Sequence, residues 1–261
     1  NIIQEIKQYD VIHANGYLHF AVLQALVISK LLHKKIIYSP HFHPFKYNNH
    51  PFIGWLWFMF FIRPLLTKDI IIMTINNEDY AYFKHHTKSK VYRVPHWIRS
   101  DEQSSLNPKQ DYLLFIGRNC DNKGISYLQS IPSGKYNVVI VSDKPLPRND
   151  FMYYSNLNDQ ELRVVLSKAS LLLVPSRYEA FSLVSMEALS LGVPILVSDN
   201  VRIIDYLDGI SGVTVFHYGD VEDFLKKIGK AKEEKVDLKK VRNIFSRNSI
   251  SESYYRVYSN I

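Results

Sequence analysis

Two short stretches hold the residues whose types and spacing could do chemistry. In "GRNCDNKG" (117–124) a guanidinium and an ammonium, Arg118 and Lys123, stand five positions apart. In "VPSRYEAFSLVSMEALSLGVPILVSD" (174–199) two carboxylates, Glu179 and Glu187, stand eight positions apart. A pair of cations can grip a diphosphate and stabilise the negative charge that grows on a leaving group. Carboxylates suit another task, accepting hydrogen bonds from sugar or ribose hydroxyls. A lone Arg-Lys pair is most often surface charge, and a lone Glu on a helix is most often salt-bridged. The argument therefore rests on where the elements place the four.

Short apolar, β-rich runs alternate with helix-length segments along the whole chain. Strands are expected at 10–14, 35–39, 69–75 and 90–94, then at 111–117, 136–142, 151–155, 171–175, 194–198 and 213–216. Several are continuously apolar rather than alternating, as strands covered on both faces are. "NDQELRVVLSKA" has Asn158 and Glu161 in capping-box spacing, and "SISESYYRVY" repeats that spacing with Ser249 and Glu252. "SLVSMEALSLG" should end as a helix at Gly192, just before Pro194. The alternation predicts doubly wound parallel α/β sheets. Glu179 then falls in the loop at the carboxyl end of strand 171–175. Glu187 falls in the helix that follows, within an apolar run expected to be buried. Arg118 and Lys123 fall in the equivalent loop after strand 111–117. Ligands bind at that edge of an open α/β sheet, and helix N-termini there suit phosphate. Anion binders beside hydroxyl binders suit a nucleotide sugar.

At 261 residues the chain is long enough for two α/β domains. Segment 95–110, polar and with two prolines, reads as the linker, giving an acceptor-side domain over 1–97 and a nucleotide-binding domain over 98–248. Apolar residues make up 46% and charged ones 22%, which excludes a disordered chain. The single cysteine, Cys120, allows no disulfide within the chain and fits a reducing, cytoplasmic setting. The net charge of +7 serves solubility or attraction to phosphates or an acidic membrane face; no nucleic-acid motif appears. The lysine-rich stretch 226–242 reads as the solvated face of one or two helices.

The spacing of these residues resembles that of the retaining glycosyltransferases of family 4, which have the GT-B fold. The family's two-glutamate stretch is matched by "SRYEAFSLVSMEALSLGVPI" (176–195), and its G-R-x-x-x-x-K-G element by Gly117, Arg118, Lys123 and Gly124. "VPHWI" resembles the start of the family linker. "FSRNSISESYYRVYSNI" resembles its last helix, so that 249–261 would pack back on the first domain. The resemblance implies that Gly117, Arg118 and Lys123 meet the donor diphosphate and that Glu187 binds the ribose. It also implies that Glu179 faces the transferred sugar and that the backbone of Phe181, Ser182 and Leu183 helps to hold the donor. Ala180 and Ser182 stand where glycines are usual. In the first domain "DVIHANGY" supplies His13, with Asn15 where a second histidine is expected, and "SPHFHPF" supplies His41 and His43 as further acceptor-side candidates. The family also has an earlier stretch with a glycine-rich loop, so the chain reads as N-terminally incomplete.

"PFIGWLWFMFFIRPLL" (51–66) is apolar without a break from Phe52 to Ile62 except at Gly54, and too short to span a bilayer. It reads either as a buried helix or as a partly exposed membrane-docking patch, with Trp57 and Phe58 as contacts and Lys46, Arg63 and Lys68 nearby for anionic headgroups. The reading as a whole is a retaining transferase moving a sugar from a UDP- or GDP-type donor to a glycan or lipid-linked acceptor. No metal is implied, because no His, Asp or Glu cluster stands beside the phosphate loop. The enzyme would be cytoplasmic, or peripheral to the inner face of the membrane. Two rivals stay open: a non-catalytic nucleotide-sugar-binding subunit and a GT-B-type nucleotide-sugar epimerase.

Overall fold

The continuous apolar runs become parallel strands in two separate sheets. The computed structural model describes residues 2–16, 19–41, 51–98 and 108–260. It divides into two compact units, residues 1–96 with 248–261, and residues 97–247.

The first unit runs α1 (Ile2–Lys7), β1 (Val11–Asn15), α2 (Phe20–Leu31), β2 (Lys35–Ser39), α3 (Pro51–Trp57), β3 (Ile70–Thr74), α4 (Asn77–His86) and β4 (Lys90–Arg93). Its four strands are parallel and in chain order, β1-β2-β3-β4. All five residues of β3 are buried, as expected of a strand covered on both faces. Ile36, Tyr38, Ile70 and Ile72 pack with Leu26 of α2 and Phe83 of α4.

The second unit runs β5 (Leu113–Ile116), α5 (Ile125–Gln129), β6 (Val138–Val141), β7 (Phe151–Tyr154), α6 (Asp159–Lys168), β8 (Leu171–Val174), α7 (Leu183–Ser190), β9 (Ile195–Ser198), β10 (Val213–Phe216), α8 (Val221–Glu233) and α9 (Leu238–Phe245). Its order is β10-β9-β8-β5-β6-β7, all parallel. The chain moves outward from β5 to β7, then returns to the other side of β5 and moves outward again. The winding therefore reverses between β5 and β8, which is the topological switch point where such sheets bind ligands. Phe115, Leu173, Leu196 and Phe216 of the strands pack on Phe224 and Ile228 of α8.

Local signals set the helix ends. Asn158 caps α6 in a complete capping box with Glu161. Gly192, at φ 68°, ends α7 in a Schellman arrangement. There Val193 N–H donates to Ala188 O at 2.9 Å and Gly192 N–H donates to Leu189 O at 3.1 Å. Lys109 closes two helix ends at once: its Nζ donates to Ser167 O at 2.9 Å, at the end of α6, and to Leu191 O at 3.3 Å, just past α7. Burial pushes the Lys109 ammonium down to about 8. The lysine-rich stretch forms α8 and α9, with Lys226, Lys230 and Lys239 exposed and Ile228, Ala231 and Val241 buried.

Two expectations need correction. The last helix, α10 (Arg247–Ser259), already includes Ser249, so the Ser249/Glu252 spacing is not a helix start. Its Ile250 and Val257 pack with Ile37, Ile71 and Met73, and that burial holds the helix from Arg247 onward. The apolar run 51–66 is partly exposed, one of its two expected readings, but Phe58 does not belong to the exposed face. After α3 it continues as a π turn (Phe58–Ile62) and a 3-10 turn (Arg63–Leu65). Phe58 and Ile62 are fully buried, so Phe58 is a core residue and not a surface contact. Of the expected linker 95–110, residues 99–107 lie outside the described residues.

Candidate active site

The loops after β5 and β8, neighbours at the switch point, bring Lys123 and Glu179 together. Lys123 Nζ donates to Glu179 Oε1 at 2.8 Å. The Ser176 hydroxyl donates to the same oxygen at 2.6 Å. Both side chains of the ion pair are largely enclosed, 24% exposed for Lys123 and 14% for Glu179. The other carboxylate oxygen, Oε2, has no hydrogen-bond partner among the described residues. The lysine stem passes beside Gly117, where an added Cβ would lie 3.5 Å from Lys123 Cδ.

Backbone joins the two loops. Arg177 N–H donates to Asn122 O at 2.8 Å, and Asn122 Nδ2 donates to Tyr178 O at 3.3 Å. Gly124 follows Lys123 at φ 72°, and an added Cβ there would lie 1.8 Å from Pro175 O. Only glycine both adopts that backbone easily and lets the β5 loop approach the β8 loop so closely. Arg118, from the same loop, is exposed, and its guanidinium makes no hydrogen bond or ion pair among the described residues. Among the described residues the edge therefore carries two exposed arginines outside any ion pair, Arg118 and Arg177, and one cation, Lys123, already neutralised by a carboxylate.

Helix α7 starts from the same edge. Phe181 is buried against Tyr206 and Phe245, so its ring belongs to the core and only its backbone faces the loop. Ser182, the N-cap, sits at φ 149° and ψ 93°. That region favours glycine, so the serine found here holds its backbone under strain. Its hydroxyl pairs with Ser185 Oγ at 2.8 Å and does not cap the helix, so the first-turn N–H groups lack a side-chain cap. Leu183 is exposed. So is Glu187, one turn on, which corrects its expected burial. The buried face of α7 is Ser185, Met186, Ala188 and Leu189, and Glu187 lies off it.

A third loop, after β9, completes the edge without having been singled out in the sequence. Arg202 N–H donates to Glu179 O at 2.9 Å, and Glu179 N–H donates to Asn200 O at 3.4 Å. These bonds form an isolated parallel bridge, Glu179 to Val201. The Arg202 guanidinium donates to the Asp199 carbonyl. Asp199 accepts from Tyr218 N–H at 3.0 Å and pairs with His217 Nδ1 at 2.6 Å. Ser198 Oγ donates to Ser176 O at 2.6 Å. The one sequence signal was the acidic residue directly after a buried strand.

In the first unit the acceptor-side candidates gather where β1 and β2 end. His13 is held at both ring nitrogens, Nδ1 to Tyr258 Oη at 2.8 Å and Nε2 to Ser39 Oγ at 2.7 Å. His41, at φ 43°, stacks on His96 with ring centroids 6.1 Å apart. Burial, then the charge of His41, pushes both His13 and His96 below the ordinary value of 6.5. Asn15 ends β1 and is exposed. His43 lies outside the described residues.

The doubly wound six-stranded sheet and the second parallel sheet in the same chain give the GT-B class of architecture. Residues 98–251 match the model of the family described as glycosyl transferases group 1, more than half of the chain, and the chain belongs to that family. It is 26% identical to an uncharacterized 41.2 kDa protein in the cps region of Klebsiella pneumoniae, over 82% of this chain and 68% of that protein. It is 25% identical to the sulfoquinovosyl transferase SQD2 of Arabidopsis thaliana, over 87% of this chain and 51% of that protein, so it spans about half of this relative. Among solved structures, HepE of Anabaena in complex with UDP and glucose is similar at TM-score 0.72 and 13% identity, over 100% of this chain and 80% of that one. A trehalose-phosphate synthase of Burkholderia xenovorans is similar at TM-score 0.74 and 12% identity, over 99% and 75%. At such identities the likeness to solved structures is one of fold.

Proposed function

We propose that the chain transfers a sugar from a UDP- or GDP-type donor to a glycan or lipid-linked acceptor, with retention of configuration and without a metal. The observation that carries this reading is the switch-point cluster: an exposed Arg118, and Lys123 already drawn to the edge by Glu179. A diphosphate brings negative charge that competes with Glu179 for Lys123, and the guanidinium of Arg118 adds a forked donor. As the bond to the sugar breaks, charge grows on the departing diphosphate and both cations stabilise it. Glu179, released from Lys123, offers its carboxylate to the sugar hydroxyls. Glu187, exposed one turn into α7, serves the ribose. The uncapped first turn of α7 supplies N–H donors to the phosphates. HepE, of similar fold, is described in complex with UDP and glucose, which supports a donor of this kind. On the acceptor side, His41 and Asn15 are the contacts assigned here, since both nitrogens of His13 are engaged within its own unit. The lone cysteine is unpaired, which suits a cytoplasmic enzyme.

The test is a thermal-shift screen against UDP, GDP, ADP and their sugars, followed by determination of the anomeric configuration of the product. A ligand at a hundred times its Kd adds about 2.7 kcal/mol and raises the melting temperature by a few degrees. No shift with any nucleotide would remove the reading, and a product of inverted configuration would remove retention.

A further inference from the structure

We infer that the aromatic face of segment 52–61 is a docking surface for an anionic lipid bilayer. Every fourth residue of the segment, Gly54, Phe58, Ile62 and Leu66, is buried. The π turn widens the helix, so this four-residue spacing stays on one side and holds the segment to the core. Five of the residues between are exposed, Phe52 at 67%, Ile53 at 63% and Phe60 at 69%, with Trp55 and Phe61, while Trp57 and Met59 are half-buried against the core. Their rings touch one another, Phe52 on Trp55 with centroids 6.1 Å apart and Phe61 on Trp57 at 4.8 Å. A run of exposed large aromatics of this kind is unusual on a surface that meets only water.

Charge selects the occupant. No Asp or Glu occurs between residues 51 and 68, while Arg63 and Lys68 follow the aromatic face directly and are exposed. Arg63 Nε donates to His86 O at 3.2 Å, and Ser89 Oγ donates to Thr67 O at 2.8 Å. These bonds tie the segment that carries the exposed Lys88 and Lys90 to the segment that carries Lys68. The unit as a whole has twelve Lys and Arg against six Asp and Glu, whereas the other unit has twenty against nineteen. Nearly all of the net positive charge therefore sits on the unit that carries the aromatic face. Exposed Phe and Trp edged by Lys and Arg match the two demands of an anionic interface, an apolar layer and negative headgroups. Among the described residues no helix is long and apolar enough to cross a membrane, so the contact is one of surface docking.

The experiment is co-sedimentation of the full chain with vesicles of phosphatidylcholine alone and of phosphatidylcholine with phosphatidylglycerol. The chain should sediment with the anionic vesicles and stay in solution with the neutral ones, and added salt should weaken the binding. Phe52→Ser with Phe60→Ser, at positions so exposed that the fold does not depend on them, should cut partitioning at least about tenfold. Lys68→Glu should cut it roughly fivefold. An unchanged melting temperature checks that the variants fold. Absence of sedimentation with anionic vesicles, or wild-type partitioning by the double serine variant, would overturn the inference. So would a concentration-dependent dimer in sedimentation velocity that the double serine variant abolishes, because the face would then be an interface between two copies.

Discussion

Glu179→Gln should move donor affinity and turnover in opposite directions. The substitution removes the negative charge but keeps an oxygen that can accept from Lys123 and Ser176, whose bonds to Oε1 are 2.8 and 2.6 Å. The loops should therefore stay in place. Two unit charges about 4 Å apart at an effective dielectric of about 20 interact by about 4 kcal/mol, an upper limit for a pair still partly wet. Desolvation of the pair offsets most of that, and about 1 kcal/mol is the net expectation. Without the carboxylate, Lys123 is no longer neutralised and an incoming diphosphate no longer meets a like charge. UDP or GDP alone should then bind roughly fivefold tighter, since about 1.4 kcal/mol is tenfold. Transfer should fall by at least about tenfold, because the sugar loses an anionic hydrogen-bond acceptor. Calorimetry with the free nucleotide and a coupled assay of nucleotide release read the two quantities separately. Weaker nucleotide binding together with unchanged transfer would refute both roles of Glu179.

Three further outcomes follow from the geometry. Gly124→Ala places a methyl group 1.8 Å from Pro175 O at a backbone of φ 72°; strain and overpacking together should cost about 2–4 kcal/mol in urea unfolding and weaken nucleotide binding as the two loops part. Lys109→Met removes the donor shared by Ser167 O and Leu191 O, and should lower stability by about 1–3 kcal/mol without altering nucleotide affinity. His13 and His96 are both held below 6.5 by burial and by His41, so the fold favours their neutral forms. The stability they contribute is complete above that value and is lost as pH falls through it toward their folded-state values. The melting temperature should drop as pH falls below about 6.5, and His96→Asn should shrink that drop. An equal drop in the variant would show that other groups cause it.

Much of this was legible in the residues, for reasons that are local. Continuous apolar runs such as Leu171–Val174 have little choice but a buried parallel strand. Asn158 with Glu161 and Gly192 before Pro194 are signals of a few residues' reach, and the helices start and stop there. The placement of Arg118, Lys123 and Glu179 at strand ends followed from the same strands. What stayed hidden depends on pairing between distant segments. Nothing around Asp199 or Arg202 announces that the β9 loop bridges to Glu179, because that bond spans more than twenty positions and needs the sheet first. The exposure of Glu187 was missed because an apolar run on a short helix does not say which residue faces out. The start of α10 at Arg247 is set by Ile250 and Val257 packing on strands far back in the chain, which overrode a capping pattern at Ser249.

The central claim is that Arg118 and Lys123 together hold the diphosphate of a nucleotide donor. Calorimetric titration of UDP and GDP into the wild type, Arg118→Ala and Lys123→Met tests it most directly. Each variant should lose at least about tenfold in affinity for whichever nucleotide the wild type binds, a deficit of about 1.4 kcal/mol. Two variants that bind that nucleotide as the wild type does would contradict the account.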